Sequence, residues 1–268
     1  MTIQEKKQAI LQKKEYKADD LITIVELLRS PGGCPWDIEQ THESIRNGFI
    51  EETYEVIEAI DKNDPVLLRE ELGDVLLQVV FHAQIEREAG NCTFDDIAND
   101  ICQKMIHRHP HVFGEVQADT SEKVLANWEI IKSEEKERRT VTDKLNAIPR
   151  QFPALMRAAK VGKKASMFDF PDAASVAGKV EEELAEVREA MASGDTAAIE
   201  EEIGDLLLSV TSLARKLGVD AEQALGKATD KFITRFSAVE NAVLAQGASM
   251  SDLTLAQLDE IWEKNKKS

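Results

Sequence analysis

Two spacings of acidic residues carry the chemistry in this chain. Glu52 and Glu55 form an ExxE, and Glu71 and Asp74 form an ExxD within EELGD. Both return in the second half of the chain, as Glu183 with Glu186 and Glu202 with Asp205. An α-helix turns about 100° per residue, so residues three apart share a face. Seen down the axis from Glu52, Glu55 falls about 60° to one side, Glu51 about 100° and Glu58 about 120°. Phe49, Val56, Ile57 and Ile60 fall on the other side, between about 40° and about 140°. Glu52 and Glu55 therefore sit at the edge of an apolar stripe, with Glu51 and Glu58 further toward solvent. Glu71 and Asp74 repeat the arrangement beside Leu72, Val75 and Val79.

Two consecutive helices joined by a short turn pack antiparallel, apolar stripes facing each other. Stripe-edge acids from both helices then converge. Four carboxylates at a partly desolvated seam need a counter-ion. An all-oxygen ligand set selects a hard cation, Mg²⁺ or, as a substitute, Mn²⁺. A Glu-rich helix face is ordinarily a solvated surface. Here, however, ExxE and ExxD occur together, at a stripe edge, twice. Lys231 and Arg235, and earlier Lys104 and Arg108, are i,i+4 pairs one helix beyond each acidic set, where cations suit phosphate. His107, His109 and His111 alternate around Pro110 without Cys or HExxH, which fits loop packing better than zinc. A di-iron bundle would want ExxH in place of an ExxE, and neither is so replaced.

These residues require helices to position them. Aromatic content is only 5%, apolar content is 43%, and residues 172–268 contain no proline, so the chain reads as all-α. Periodicity predicts one or two helices over 4–29, ended by the turn Ser30-Pro31-Gly32-Gly33, and a helix over 43–61. Asp64-Pro65 then caps a helix over about 66–89, stopping near Gly90. A helix over 95–108, capped by Thr93 or Asp95, breaks at Pro110, and a charged helix spans 121–139. Residues 140–153, with two prolines, read as a linker. Helices follow over about 154–166, 173–193, 196–217, 220–246 and 254–266.

The two halves are related. At the constant offset that takes Glu52 to Glu183, residues 51–60 match at six of ten positions and residues 70–80 at seven of eleven. No gap is needed between the two windows. Such self-similarity marks an internal duplication. The expected organisation is a helical module over 1–139 with a polar N-terminal extension, the linker over 140–153, and a second module over 154–268.

Net charge is −17, which repels phosphate backbones and argues against nucleic-acid binding. The three cysteines, Cys34, Cys92 and Cys102, form no CxxC and read as reduced thiols in a cytoplasmic protein. The opening residues carry no apolar h-region, so no signal peptide is expected. The longest strongly apolar stretch, VLLQVVF at 75–81, is too short to cross a bilayer.

The tandem EExxE and EELGD-type motifs, with CPWDIEQTHESI before and RHPHVF after the first set, resemble the MazG family of all-α nucleoside triphosphate pyrophosphatases. The resemblance runs from about residue 20 to 266. It implies Mg²⁺-dependent hydrolysis of nucleoside triphosphates between the α and β phosphates, giving monophosphate and pyrophosphate, in the service of nucleotide-pool control. It implies homodimers. In the C-terminal module it implies Glu183, Glu186, Glu202 and Asp205 as metal ligands; one glutamate of the cluster, Glu182 or Glu183, is expected to activate water. Lys179, Glu182, Glu183, Glu201, Asp205, Lys231, Arg235 and Trp262 would face substrate. The chain departs from the pattern at Ala198-Ile199, where some relatives offer a lysine, and at Met167, where glycine is common. Lys179 has Gly48 as its counterpart, so the C-terminal module is expected to be the main site. Glu52, Glu55, Glu71 and Asp74 would form a second candidate metal site. The rival expectation is a non-catalytic acidic helical dimer acting as scaffold or regulator.

Overall fold

The computed structural model describes residues 1–135 and 140–265. Among them there are helices and turns and no strand. The contacts divide the chain into two compact units, Met1–Lys132 and Ser133–Ser268.

The first unit begins with α1 (Ile3–Leu11), α2 (Ala18–Arg29), α3 (Pro35–Glu39), α4 (His42–Asp61) and α5 (Pro65–Ala89). It continues with α6 (Phe94–Arg108), α7 (Pro110–Phe113) and α8 (Ser121–Glu135), whose last residues reach past the division. The helix α4 ends in a tight turn where Asn63 takes φ 53°. Asp64 then accepts from the N–H groups of Val66 and Leu67, with Pro65 at the first helical position, so α5 starts at once and folds back on α4. Gly90, at φ 77°, terminates α5 in the left-handed region that glycine adopts most readily. Thr93, rather than Asp95, caps α6 in a reciprocal box with Asp96.

Val25, Ile45, Val80 and Phe81 form the core of this unit, with Leu21, Ile22, Leu77, Ile85 and Phe94 against it. Full burial of such side chains stabilises by roughly 1.5–3 kcal/mol each. The CPWD stretch becomes α3, a short helix not expected from periodicity. Arg29 holds it, donating to the carbonyls of Asp37 at 2.6 Å and Gln40 at 3.0 Å while forking onto Glu88.

The second unit contains α9 (Val141–Asn146), α10 (Ala154–Lys164), α11 (Ala173–Ser193), α12 (Thr196–Lys216), α13 (Ala221–Ala245) and α14 (Leu255–Asn265). Its hairpin, α11 against α12, repeats that of α4 and α5. Gly194 at φ 72° ends α11, and Asp195 accepts from Ala197 and Ala198 to start α12. Asp169 plays the anchoring part here, taking Arg215 in a two-pronged pair at 2.7 and 2.9 Å and Lys216 at 2.9 Å.

Residues 140–153, expected as a linker, contain α9. Thr140 and Asp143 make a capping box, and Ile148 is buried, so this stretch packs on α10 instead of merely connecting. Of the helix expected over 121–139, residues 136–139 lie outside the described residues, as does residue 266 of the last.

Candidate active site

Each helical hairpin gathers a group of carboxylates. In the first unit, Glu52 and Glu55 from α4 and Glu71 from α5 each place an oxygen within 4.8 Å of the others. In the second unit, Glu183 and Glu186 from α11 and Glu202 from α12 do the same. The i,i+3 spacing on one helix and the immediate reversal into the next bring them together. The aspartate of each ExxD stands outside this mutual distance. Asp74 is half-buried and its charge still acts on Glu52 and Glu71, whereas Asp205 is exposed.

The electrostatics of the two groups differ. Burial pushes the Glu52 carboxyl up, and Glu55 and Asp74 push it further, with only a hydrogen bond from Gln78 against them. Glu71 is likewise raised by burial, then by Glu55, Glu70 and Asp74. The largest influences on both groups are burial and neighbouring acids, with no lysine or arginine among them. Gln78 lies against Gly48, where an added Cβ would come within 3.2 Å of the amide nitrogen.

In the second unit the counterpart of Gly48 is Lys179. Its Nζ sits 2.7 Å from Glu182 and 2.8 Å from Glu183. Those two carboxylates hold the lysine well above its usual range. Glu186 is raised by burial and by Glu183 and Glu202, while Lys179 opposes the shift. Glu183 is 5% exposed, and its second oxygen, Oε2, is buried without a hydrogen-bond partner among the described residues. A buried carboxylate oxygen without a donor costs about 1–3 kcal/mol or more. The donor set, three closely spaced carboxylates with an unsatisfied buried oxygen, fits a hard divalent cation.

Other expected residues fall apart from this group. Glu201 is exposed on α12 and is not one of the three acids whose oxygens converge. Lys231 and Arg235 lie on a largely exposed stretch of α13, and among the described residues no ion pair joins them to Glu183, Glu186 or Glu202. Trp262 packs against Phe232, ring centroids 5.3 Å apart, and Phe232 lies 6.2 Å from Phe236. In the first unit Arg108 is 6% exposed and stacks over Trp128, so it is a packed residue there rather than an open cation for phosphate. Its apolar stem and flat guanidinium fill the space that a solvated cation would leave.

The helical projection also needs correction. Ile57, Ile60 and Leu72 are exposed, at 41%, 54% and 51%. These helices carry apolar residues on more than the face that meets the hairpin partner. Also illegible from spacing is a pair of stacked imidazoles, His42 and His82, whose Nδ1 atoms are 2.7 Å apart and which Glu86 joins through His42 Nε2 at 2.7 Å. By contrast, the Lys179–Glu183 pair is signalled by an i,i+4 lysine–glutamate spacing.

A duplicated helical hairpin with a carboxylate group on each copy defines a class: all-α proteins whose paired acidic helices are suited to a divalent metal. Within that class, the profile of the MazG nucleotide pyrophosphohydrolase domain matches residues 40–113 and 172–239. The chain is 46% identical over 250 residues to a Thermotoga maritima protein named nucleoside triphosphate pyrophosphohydrolase/pyrophosphatase MazG, covering 92% of this chain and 95% of that one. It is 46% identical over 256 residues to a nucleoside triphosphate pyrophosphohydrolase of Escherichia coli K12, covering 93% and 97%. A Mycobacterium tuberculosis protein of the same name is 34% identical over 226 residues, covering 84% and 58%. The chain belongs to the MazG family.

Proposed function

We propose that this chain hydrolyses nucleoside triphosphates between the α and β phosphates, releasing a nucleoside monophosphate and pyrophosphate, with the C-terminal module as the main site. The observation that carries the reading is the group of Glu183, Glu186 and Glu202, with a buried unsatisfied oxygen and a lysine beside it. The family's names for its members favour the same chemistry.

Glu183, Glu186 and Glu202, with Asp205 as a fourth acid, would hold Mg²⁺. When bound, that ion polarises phosphate oxygens and lowers the pKa of a water. Glu182, exposed at the rim and paired with Lys179, or Glu183 itself, orients the attacking water and takes its proton. The water oxygen forms the new phosphorus bond as the anhydride linking α and β breaks, and the electron pair leaves on pyrophosphate. Lys179, Lys231 and Arg235 offset the charge on the triphosphate and on the departing group. Trp262, beside Phe232, offers an aromatic face for a base. Glu201, exposed on α12 beside Glu202, is assigned to the substrate on the family resemblance alone.

The same reading includes a homodimer. Ile203, Leu207 and Val210, at i, i+4 and i+7 on α12, are 44–51% exposed, and Phe232, Ile233 and Phe236 on α13 are exposed as well. Unpartnered apolar stripes on two helices are faces that a second copy covers. No helix among the described residues is long and apolar enough to cross a membrane. The free cysteines favour a cytoplasmic enzyme, and the acidic charge one that leaves nucleic acid alone.

The test is a product assay on a panel of ribo- and deoxyribonucleoside triphosphates with Mg²⁺. Monophosphate with pyrophosphate is the expected result. Diphosphate with orthophosphate sinks the α–β assignment, and no product from any triphosphate favours a scaffold.

A further inference from the structure

Lys179 stands where a bound metal would compete with it. Its ammonium is 2.8 Å from Glu183 Oε1, while Glu183 Oε2 is buried and unpartnered in the group formed with Glu186 and Glu202. One carboxylate thus carries an internal cation on one oxygen and an open acceptor on the other. The Glu183 side chain is 6% exposed and that of Lys179 31%, so the acid is fixed and the lysine is the partner free to move. Lysine is a point charge on a flexible four-carbon stem, able to leave one anion for another a few ångströms away. The first unit lacks this device: Gly48 stands at the matching position, and the neutral Gln78 lies across from it.

We propose that Lys179 is the built-in counter-cation of the C-terminal carboxylates: it holds Glu183 while no divalent ion is bound, yields those oxygens to the ion, and then turns to the phosphates of the substrate. The inference rests on the hydrolase reading above. The lysine remains charged throughout, so no proton moves; one ion pair is exchanged for another. Two consequences follow from linkage. Without nucleotide, the ion binds weakly, because it must displace an ammonium. With nucleotide, ion and triphosphate favour each other by the same factor, since the lysine released at one is taken up at the other.

Mn²⁺ binding to the full chain without nucleotide, followed by electron paramagnetic resonance, tests this. Glu183→Gln identifies the part of the signal that belongs to the C-terminal group. Lys179→Met is expected to tighten Mn²⁺ at that group about tenfold, as removal of a neighbouring unit charge requires. Lys179→Arg, which keeps the cation, should leave the ion weakly bound. A non-hydrolysable triphosphate analogue should tighten Mn²⁺ in the wild type and do so much less in Lys179→Met. Equal or weaker Mn²⁺ binding in a folded Lys179→Met, or in Lys179→Gln should the methionine variant melt early, overturns the exchange. Product analysis separates the two readings. Monophosphate and pyrophosphate from the wild type without the Mn²⁺ shift leaves the hydrolase standing and the exchange refuted. The Mn²⁺ shift without any cleavage does the reverse.

Discussion

Replacing Glu183 by glutamine removes a charge but almost no volume, so it isolates what the carboxylate does. A Mg²⁺ ion lies about 2.1 Å from its oxygen ligands. The acidic oxygens of the group stand up to 4.8 Å from one another. Coulomb energy falls as 1/r, so the attraction of one carboxylate to a dication exceeds its repulsion from two neighbouring carboxylates by at most roughly twofold. Solvent substitution offsets part of that surplus, and the loss is set at about 3–4 kcal/mol, the range typical for deleting one transition-state contact. Glu183→Gln should therefore lower kcat/KM for a triphosphate about 10²–10³-fold. The matching change in the first unit, Glu52→Gln, should lower it by less than about threefold, well under 1 kcal/mol. Pyrophosphate release at saturating Mg²⁺ gives the rates. A thermal melt of each variant, expected within about 1 kcal/mol of wild type, shows that the fold is intact. Loss of activity in Glu52→Gln with Glu183→Gln unaffected would refute the assignment of the main site to the C-terminal module.

Other outcomes are expected on the same grounds. Arg215, then Lys216, hold the Asp169 carboxyl well below the usual range. A depressed folded-state pKa stabilises above the unfolded value of about 3.9 and is lost as pH falls below it. Melts between neutral pH and pH 2 should show an acid-side fall that Asp169→Asn flattens, while lowering stability near neutrality; identical acid limbs would contradict this. Leu207→Glu places a charge in the exposed stripe of α12. It should weaken the dimer about 10²-fold, some 3 kcal/mol, seen as a lower mass in sedimentation, and an unchanged mass excludes that face. Trp262→Ala should raise KM for triphosphates by the equivalent of about 1–3 kcal/mol with Trp262→Phe close to wild type, whereas unaltered KM in both leaves Trp262 as a packing contact of Phe232 only.

Much of the site is legible in the residue spacing. The i,i+3 acids and the Asp64-Pro65 signal require a hairpin with acids from both helices at one seam, and the structure brings Glu52, Glu55 and Glu71 together, as it does Glu183, Glu186 and Glu202. Capping explains the accuracy of the helix starts, since Asp64, Thr93, Asp172 and Asp195 accept from the first turn by purely local geometry. Local patterning does not show that Ile57, Ile60 and Leu72 remain exposed. It cannot, because apolarity says that a residue seeks cover and not which surface supplies it. Nor does it anticipate α9, which the two prolines at 149 and 153 disguise as a connector.

By itself, the sequence determined the long helices and their phases, the duplication and the identity of the acids. All of these follow from backbone periodicity and from caps that act within a turn. Tertiary structure alone decided which charges meet. It set Asp74 and Asp205 outside the two tight groups, turned Arg108 inward onto Trp128, joined neither Lys231 nor Arg235 to the acids among the described residues, and buried the second oxygen of Glu183 without a partner. The physical reason is one of range. Helix phase is fixed by neighbours in the chain, whereas the strength of a charge–charge contact depends on a few ångströms between helices and on how much water they exclude.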